Sequence, residues 1–257
     1  MKNRLIKNAR LSLSTISHND LYNFSLKHTM SLYPLDIVYT FIPKNACSTL
    51  RYSVAIANEF LSNISDINWI HQNNETFIPT QRETICAKYT FVVLRCPFTR
   101  VASCFFDQIV GGDFDFKDAS GDKLNVSFND FLSVIKSQNR IDRNEHWRNQ
   151  SDFLHYEKYD DYFSLESFNE AIQSLGKRGF IIYDTRTVLN HDLSSMNRVE
   201  GDFSKIKEIE IKKMREEGTM PSYKSMFTQS EIELVNDIYE DDIDLYKTQF
   251  GEKNLLF

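Results

Sequence analysis

Two short stretches of this chain concentrate residue types that bind and move negative charge. The first is P-K-N-A-C-S-T at 43–49, where an extended run gives way to a helical one. A helix start presents unpaired backbone N–H groups carrying a partial positive charge. Ser48 and Thr49 add hydroxyl donors, Lys44 adds a full charge, and the small residues Ala46, Cys47 and Ser48 let the backbone, with Asn45, close on an anion. G-x-x-x-x-G-K-[ST] is absent and the lysine precedes the loop, which disfavours a magnesium-nucleotide cradle. The second stretch is R-C-P-F-T-R-V-A-S-C-F at 95–105. Arg95 leaves a strand at its carboxyl edge, where a guanidinium can grip phosphate bidentately, and Ser103 lies one helical turn beyond Thr99. Two anion sites at two strand ends suit a ligand with two phosphate-like groups, a diphosphorylated nucleotide.

The elements that must position these groups follow from hydrophobic pattern. Residues 36–42 (D-I-V-Y-T-F-I) form a β-branched and aromatic run ending at Pro43, followed by helical spacing over 49–61. Residues 89–94 (Y-T-F-V-V-L) are nearly all apolar, as in a strand covered on both faces, and precede a helical stretch at 99–110. A third apolar run at 180–183 follows an amphipathic stretch at 165–175 and the turn at 176–179, and is expected to be another strand. Residues 111–123, rich in Gly and Asp, read as a mobile loop hinged at Gly111-Gly112, and 128–135 as a short helix. Residues 206–217 are charged on most faces, and 228–246 form a terminal helix capped by Thr228. Alternating strands and helices predict an α/β fold, a three-layer α/β/α arrangement around a mainly parallel sheet. Its ligand belongs at the carboxyl ends of the strands.

The 257 residues, 41% hydrophobic and 26% charged, describe a folded chain, read here as a single domain with 1–34 as an N-terminal extension and 111–127 as a flexible loop. A net charge of -6 leaves no cationic surface for non-specific nucleic-acid binding, so phosphate recognition must be local. No apolar run approaches the ~18 residues of a membrane span, and the N-terminus has no signal-type segment. Four cysteines without paired spacing argue against zinc and against a disulfide framework, which points to a reducing cytoplasm.

Taken together, P-K-N-A-C-S-T-L at 43–50 resembles the 5′-phosphosulfate loop of sulfotransferases that use 3′-phosphoadenosine 5′-phosphosulfate (PAPS). R-C-P-F-T-R-V-A-S-C-F resembles their R-x-P-x-x-R-x-x-S-x-[YF] 3′-phosphate motif. I-Y-E-D-D-I-D-L-Y at 238–246 is similar to the Y-x-x-D-x-x-L-[FY] ending of the carbohydrate and bacterial branch, and H-W-R-N-Q at 146–150 to its H-W-x-P-Q. Cys96 stands where many relatives have Asp, and Asn149 where that branch has Pro. The resemblance implies a P-loop-like sulfotransferase fold, PAPS as co-substrate, 3′,5′-ADP as product, no metal, and a carbohydrate or small-molecule hydroxyl as acceptor. It assigns Lys44, Asn45, Ala46, Cys47, Ser48 and Thr49 to the 5′-phosphosulfate, with Lys44 also facing the leaving group. Arg95 and Ser103 go to the 3′-phosphate. Arg100 is either a further phosphate contact or part of a structural ion pair.

The acceptor hydroxyl needs a base. His71 in W-I-H-Q-N-N lies where the resemblance to uronyl-type carbohydrate sulfotransferases puts a catalytic histidine, and His146 is the second candidate. Glu75, Asp107 and Glu145 are carboxylate alternatives, while His18, His28, His155 and His191 have no supporting context. Cys47 is either a nucleophilic thiol or a small packing residue. Tyr223 and Lys224 in P-S-Y-K-S-M-F either close over the nucleotide or pack a loop on the core. Two other functions compete: a P-loop-type phosphotransferase dependent on magnesium-ATP, and a nucleotide-binding protein without turnover.

Overall fold

The six residues Tyr89–Leu94 have no polar face to turn towards water, and in the computed structural model all six are buried in one strand. The structure describes residues 4–9, 16–63, 66–112, 114–117, 120–121, 124–185 and 196–257. His191, parts of the 1–34 extension and parts of the 111–127 loop therefore lie outside the described residues. The chain divides into two compact units, Met1–Arg95 with Gln150–Asn190, and Cys96–Asn149 with His191–Phe257. Strands and helices are numbered in chain order through both.

The first unit holds a four-stranded sheet in the order β1 (Thr29–Leu32), β2 (Ile37–Thr40), β3 (Tyr89–Leu94), β4 (Asp161–Ser164). β1 pairs antiparallel with β2, with Leu32 opposite Ile37, and the turn between them places Asp36 in the left-handed region at φ 55°. β2, β3 and β4 are parallel, with Thr40 opposite Val92 and Leu94 opposite Ser164. Around them lie α1 (Asp20–Lys27), α2 (Cys47–Ala57), α3 (Trp69–Gln72), α4 (Gln81–Cys86), α7 (Gln150–Phe153) and α8 (Phe168–Lys177). The result is the expected α/β fold, a mainly parallel sheet with helices on both sides. Tyr39 stacks on Phe91 with ring centroids 4.8 Å apart, inside a core that runs from Met30 to Phe180. Each such buried aromatic contributes on the order of 1.5–3 kcal/mol through area removed from water.

One expected strand is absent. Residues 180–183 are irregular: Phe180 is buried, but Ile181 is 62% exposed and Tyr183 40%. Their backbone bonds are local or to side chains, from Phe180 N–H to the Leu175 carbonyl at 3.0 Å and from Tyr183 N–H to Ser53 Oγ at 3.0 Å. The fourth strand is instead β4, whose D-Y-F-S is only half-buried. β4 takes the place beside β3, and the apolar run at 180–183 joins no ladder.

The second unit contains α5 (Pro97–Cys104), α6 (Phe128–Ser137), α9 (Glu208–Glu216), α10 (Gln229–Ile238) and α11 (Glu240–Phe250), with a two-stranded parallel sheet of β5 (Asn197–Val199) and β6 (Thr219–Pro221). Its core is aromatic, with Phe105 against Phe128 at 5.5 Å and Phe131 against Trp147 at 5.5 Å. Two expected helices are interrupted. The 99–110 stretch changes after Cys104 to a π-helical turn, Phe105–Ile109, in which Val110 N–H bonds the Phe105 carbonyl at 3.0 Å. Gly111 follows because a Cβ there would sit 2.0 Å from the Asp107 carbonyl oxygen. The 228–246 stretch opens on Thr228 in a capping box with Glu231, then breaks at Tyr239, whose buried hydroxyl donates to the Trp147 carbonyl at 2.6 Å.

Candidate anion site at the strand tips

The loop after β2 is built without glycine, yet two of its residues adopt the left-handed conformation, Lys44 at φ 72° and Ala46 at φ 58°. Each costs a non-glycine residue about 1–2 kcal/mol. A backbone that alternates hands in this way curls into a concavity favourable to anions. Asn45 N–H bonds the Ile42 carbonyl at 3.2 Å and closes the turn. α2 then starts at Cys47 with Ala46 as its N-cap, and no side chain caps it. Its first N–H groups and partial positive charge are thus presented by a residue that cannot satisfy them itself. Lys44, Ala46, Cys47, Ser48 and Thr49 are all partly exposed there, and Thr49 Oγ1 shares a 2.8 Å hydrogen bond with Thr185 Oγ1.

Asn45 differs from its neighbours. Its side chain is buried, and its Nδ2 donates to the Val93 carbonyl at 2.9 Å and to Gln150 Oε1 at 2.6 Å. Its part in an anion site is therefore to shape the backbone. Arg95, just beyond the adjacent parallel strand β3, donates through Nη1 to the Lys44 carbonyl at 2.9 Å. Gln150 Nε2 donates to the Arg95 carbonyl at 2.9 Å, and its Oε1 accepts from Arg95 N–H at 3.0 Å. Lys44, Asn45, Gln150 and Arg95 are thereby joined at the carboxyl ends of β2 and β3, the edge where an open α/β sheet binds ligands. Gln150 was not among the expected site residues; its signal was the last letter of H-W-R-N-Q. Arg51 is buried on α2, its guanidinium 5.0 Å from the Phe41 ring centroid and bonded to the Ile70 carbonyl.

In the second unit, Arg100 is 2% exposed and donates to the carbonyls of Arg148 at 2.8 Å and Glu145 at 3.4 Å. Its bonds there are to backbone carbonyls. Ser103 is partly exposed on α5. The Tyr223 ring lies nearly parallel to Phe106 at 5.9 Å and beneath the Arg198 guanidinium at 5.6 Å, and Lys224 is exposed.

The two histidine candidates sit in different settings. His71 is exposed on α3, whose Trp69 packs on Phe60 and Phe77 at 6.1 and 5.9 Å. His146 is half-buried, and Asn144 Oδ1 takes both its backbone N–H at 3.0 Å and its ring Nδ1 at 2.9 Å. An amide oxygen can only accept, so Nδ1 carries a proton in this contact. Glu75 and Glu145 are exposed, and Asp107 Oδ2 accepts from Gln108 Nε2 at 2.9 Å. His155 is wholly buried beside Ser25, and burial pushes it down to about 4.

Among the described residues, no group of three or more His, Cys, Asp or Glu is arranged to hold a metal ion, and no helix is long and apolar enough to cross a membrane. The model of the sulfotransferase family matches residues 30–249, which spans both strand-tip loops. No curated protein and no solved structure matches the chain.

Proposed function

The chain belongs to the sulfotransferase family, and from that premise we propose that it moves the sulfuryl group of PAPS to a hydroxyl of a carbohydrate or other small acceptor. The observation that carries this reading is the strained, uncapped loop at Lys44–Ala46 with Arg95 braced on its backbone. Two cationic features sit on neighbouring strand tips, as a ligand with two separated phosphates requires. The donor set of N–H groups, hydroxyls, one lysine and one arginine fits such a ligand, and it holds no carboxylate ligands for magnesium.

In the transfer, the bond from sulfur to the 5′-phosphate oxygen breaks, a bond from sulfur to the acceptor oxygen forms, and the acceptor proton passes to a base. Lys44 and the N–H groups opening α2 neutralise the charge that collects on the departing phosphate. The loop's contribution is mainly positioning and electrostatics, as in phosphoryl transfer. His71 and His146 are the two bases proposed, the second already holding its proton on Nδ1. By resemblance Ser103 adds to the 3′-phosphate contacts made by Arg95, Arg100 lies in the same motif, and Tyr223 and Lys224 lie by the nucleotide. The four free cysteines fit action in the reducing cytoplasm.

The test is a mass-spectrometric assay of purified protein with PAPS and a panel of sugar and phenolic acceptors, run beside a magnesium-ATP control. Sulfated product with release of 3′,5′-ADP supports the reading. Phosphorylated product from the ATP arm would replace it with a phosphotransferase.

A further inference from the structure

We propose that Gln150 is a positioning residue that locks the two strand-tip loops at one spacing, and so sets how strongly the protein prefers a ligand bearing a second phosphate. This inference rests on the PAPS reading above and adds to it a residue that touches neither anion. Gln150 opens α7 and is 1% exposed. Its amide makes two bonds to the backbone of Arg95, accepting from N–H at 3.0 Å and donating to the carbonyl at 2.9 Å. The β3–β4 ladder ends at Leu94 opposite Ser164, so a side chain supplies the strand-like pairing one residue further on.

The same Oε1 accepts from Asn45 Nδ2 at 2.6 Å, and Asn45 reaches on to the Val93 carbonyl at 2.9 Å. Asn45 Oδ1 is buried without a partner, so those two bonds alone orient its side chain. Because Asn45 stands between the left-handed residues Lys44 and Ala46, any movement of its side chain is passed to the curled backbone. One amide thus ties the loop after β2 to the residue just beyond β3. Few side chains could substitute for it. Alanine removes all three bonds, asparagine is one methylene short, and an ionised glutamate keeps the two acceptor bonds while turning a second oxygen towards the Arg95 carbonyl.

Without the lock each loop can still bind an anion, but the spacing between the sites is held less tightly, by the Arg95–Lys44 and Asn45–Val93 bonds that remain. A ligand with one phosphate should then lose little, and a ligand with two should lose most of its advantage. Calorimetric titration of wild type, Gln150→Ala and Gln150→Glu with adenosine 5′-monophosphate and with 3′,5′-ADP measures this preference as a ratio of Kd values. The expected result is a wild-type preference for 3′,5′-ADP that falls by about tenfold or more in Gln150→Ala. In Gln150→Glu the preference should be low at pH 8 and recover relative to wild type as the pH is lowered to about 5.5, because a protonated carboxyl regains the donor for the Arg95 carbonyl. If both nucleotides weaken in parallel, or if both variants keep the wild-type ratio, the positioning role is overturned. Should Gln150→Ala fail to fold, a Gln150→Glu ratio that tracks wild type at every pH overturns it equally. Absence of any preference in the wild type would instead overturn the PAPS reading on which the inference stands.

Discussion

Arg95 donates through Nη1 to the carbonyl oxygen of Lys44 at 2.9 Å, across 51 residues of sequence. The bond uses the lysine's backbone, not its amine. The cation at the tip of β3 is therefore held by the shape of the loop after β2, and the two roles of Lys44, bracing and charge, can be separated by mutation.

Lys44→Ala keeps the carbonyl that braces Arg95 and removes only the ammonium. Turnover with PAPS should fall roughly 10²–10³-fold, the usual cost of losing one group that stabilises developing charge. The Kd for 3′,5′-ADP should change by less than about tenfold, since the remaining donors persist. Equal losses in kcat and in nucleotide affinity would show that the amine only binds.

The left-handed backbone at Ala46 gives a second test. Ala46→Gly removes a strain of about 1–2 kcal/mol but loosens the unfolded chain by about 0.4–1 kcal/mol, so its stability should be equal or slightly higher. Ala46→Val places a β-branched residue at φ 58° and should lower Tm and abolish 3′,5′-ADP binding together. Thermal melts with and without nucleotide check both, and a valine variant that binds normally would mean the loop's curvature is not needed.

Stability should fall with acid before the carboxylates titrate. Burial lowers the folded-state value of His155 from 6.5 to about 4, so between those limits the unfolded chain takes up a proton that the folded protein refuses. The stabilisation is full above pH 6.5 and is lost progressively towards pH 4, by up to about 3 kcal/mol. Urea midpoints measured at several pH values should show this slope in wild type and a flatter profile in His155→Phe. A wild-type midpoint constant from pH 7 to 5 would contradict it.

Arg100 supports the second unit through two backbone carbonyls. Arg100→Met removes both bonds, the shorter of them to the buried Arg148, a loss of about 1–3 kcal/mol, or roughly 2–12 °C in Tm for a chain of this size. An unchanged Tm in differential scanning calorimetry would show that those bonds do not hold the unit together.

Much of this was legible from residues 37–57 and 89–104. Y-T-F-V-V-L occupies β3 end to end because a strand buried on both faces must be apolar throughout. P-K-N-A-C-S-T marked the strand-to-helix junction because small residues and hydroxyls collect there. The sequence misled where long-range pairing decided the outcome. β4 is half polar and is a strand because it pairs with β3, whereas the more apolar 180–183 run joins no ladder and bonds instead to the Leu175 carbonyl and Ser53 Oγ. Gln150 was hidden because a buried glutamine looks like any surface glutamine until its partners, Asn45 and Arg95, 105 and 55 residues away in sequence, are in place.

The central claim is most directly tested by titrating the purified wild-type protein calorimetrically with 3′,5′-ADP in magnesium-free buffer. The account predicts saturable heat at a single site, tighter than for adenosine 5′-monophosphate. No heat with 3′,5′-ADP, alongside clear binding of magnesium-ATP, would contradict it.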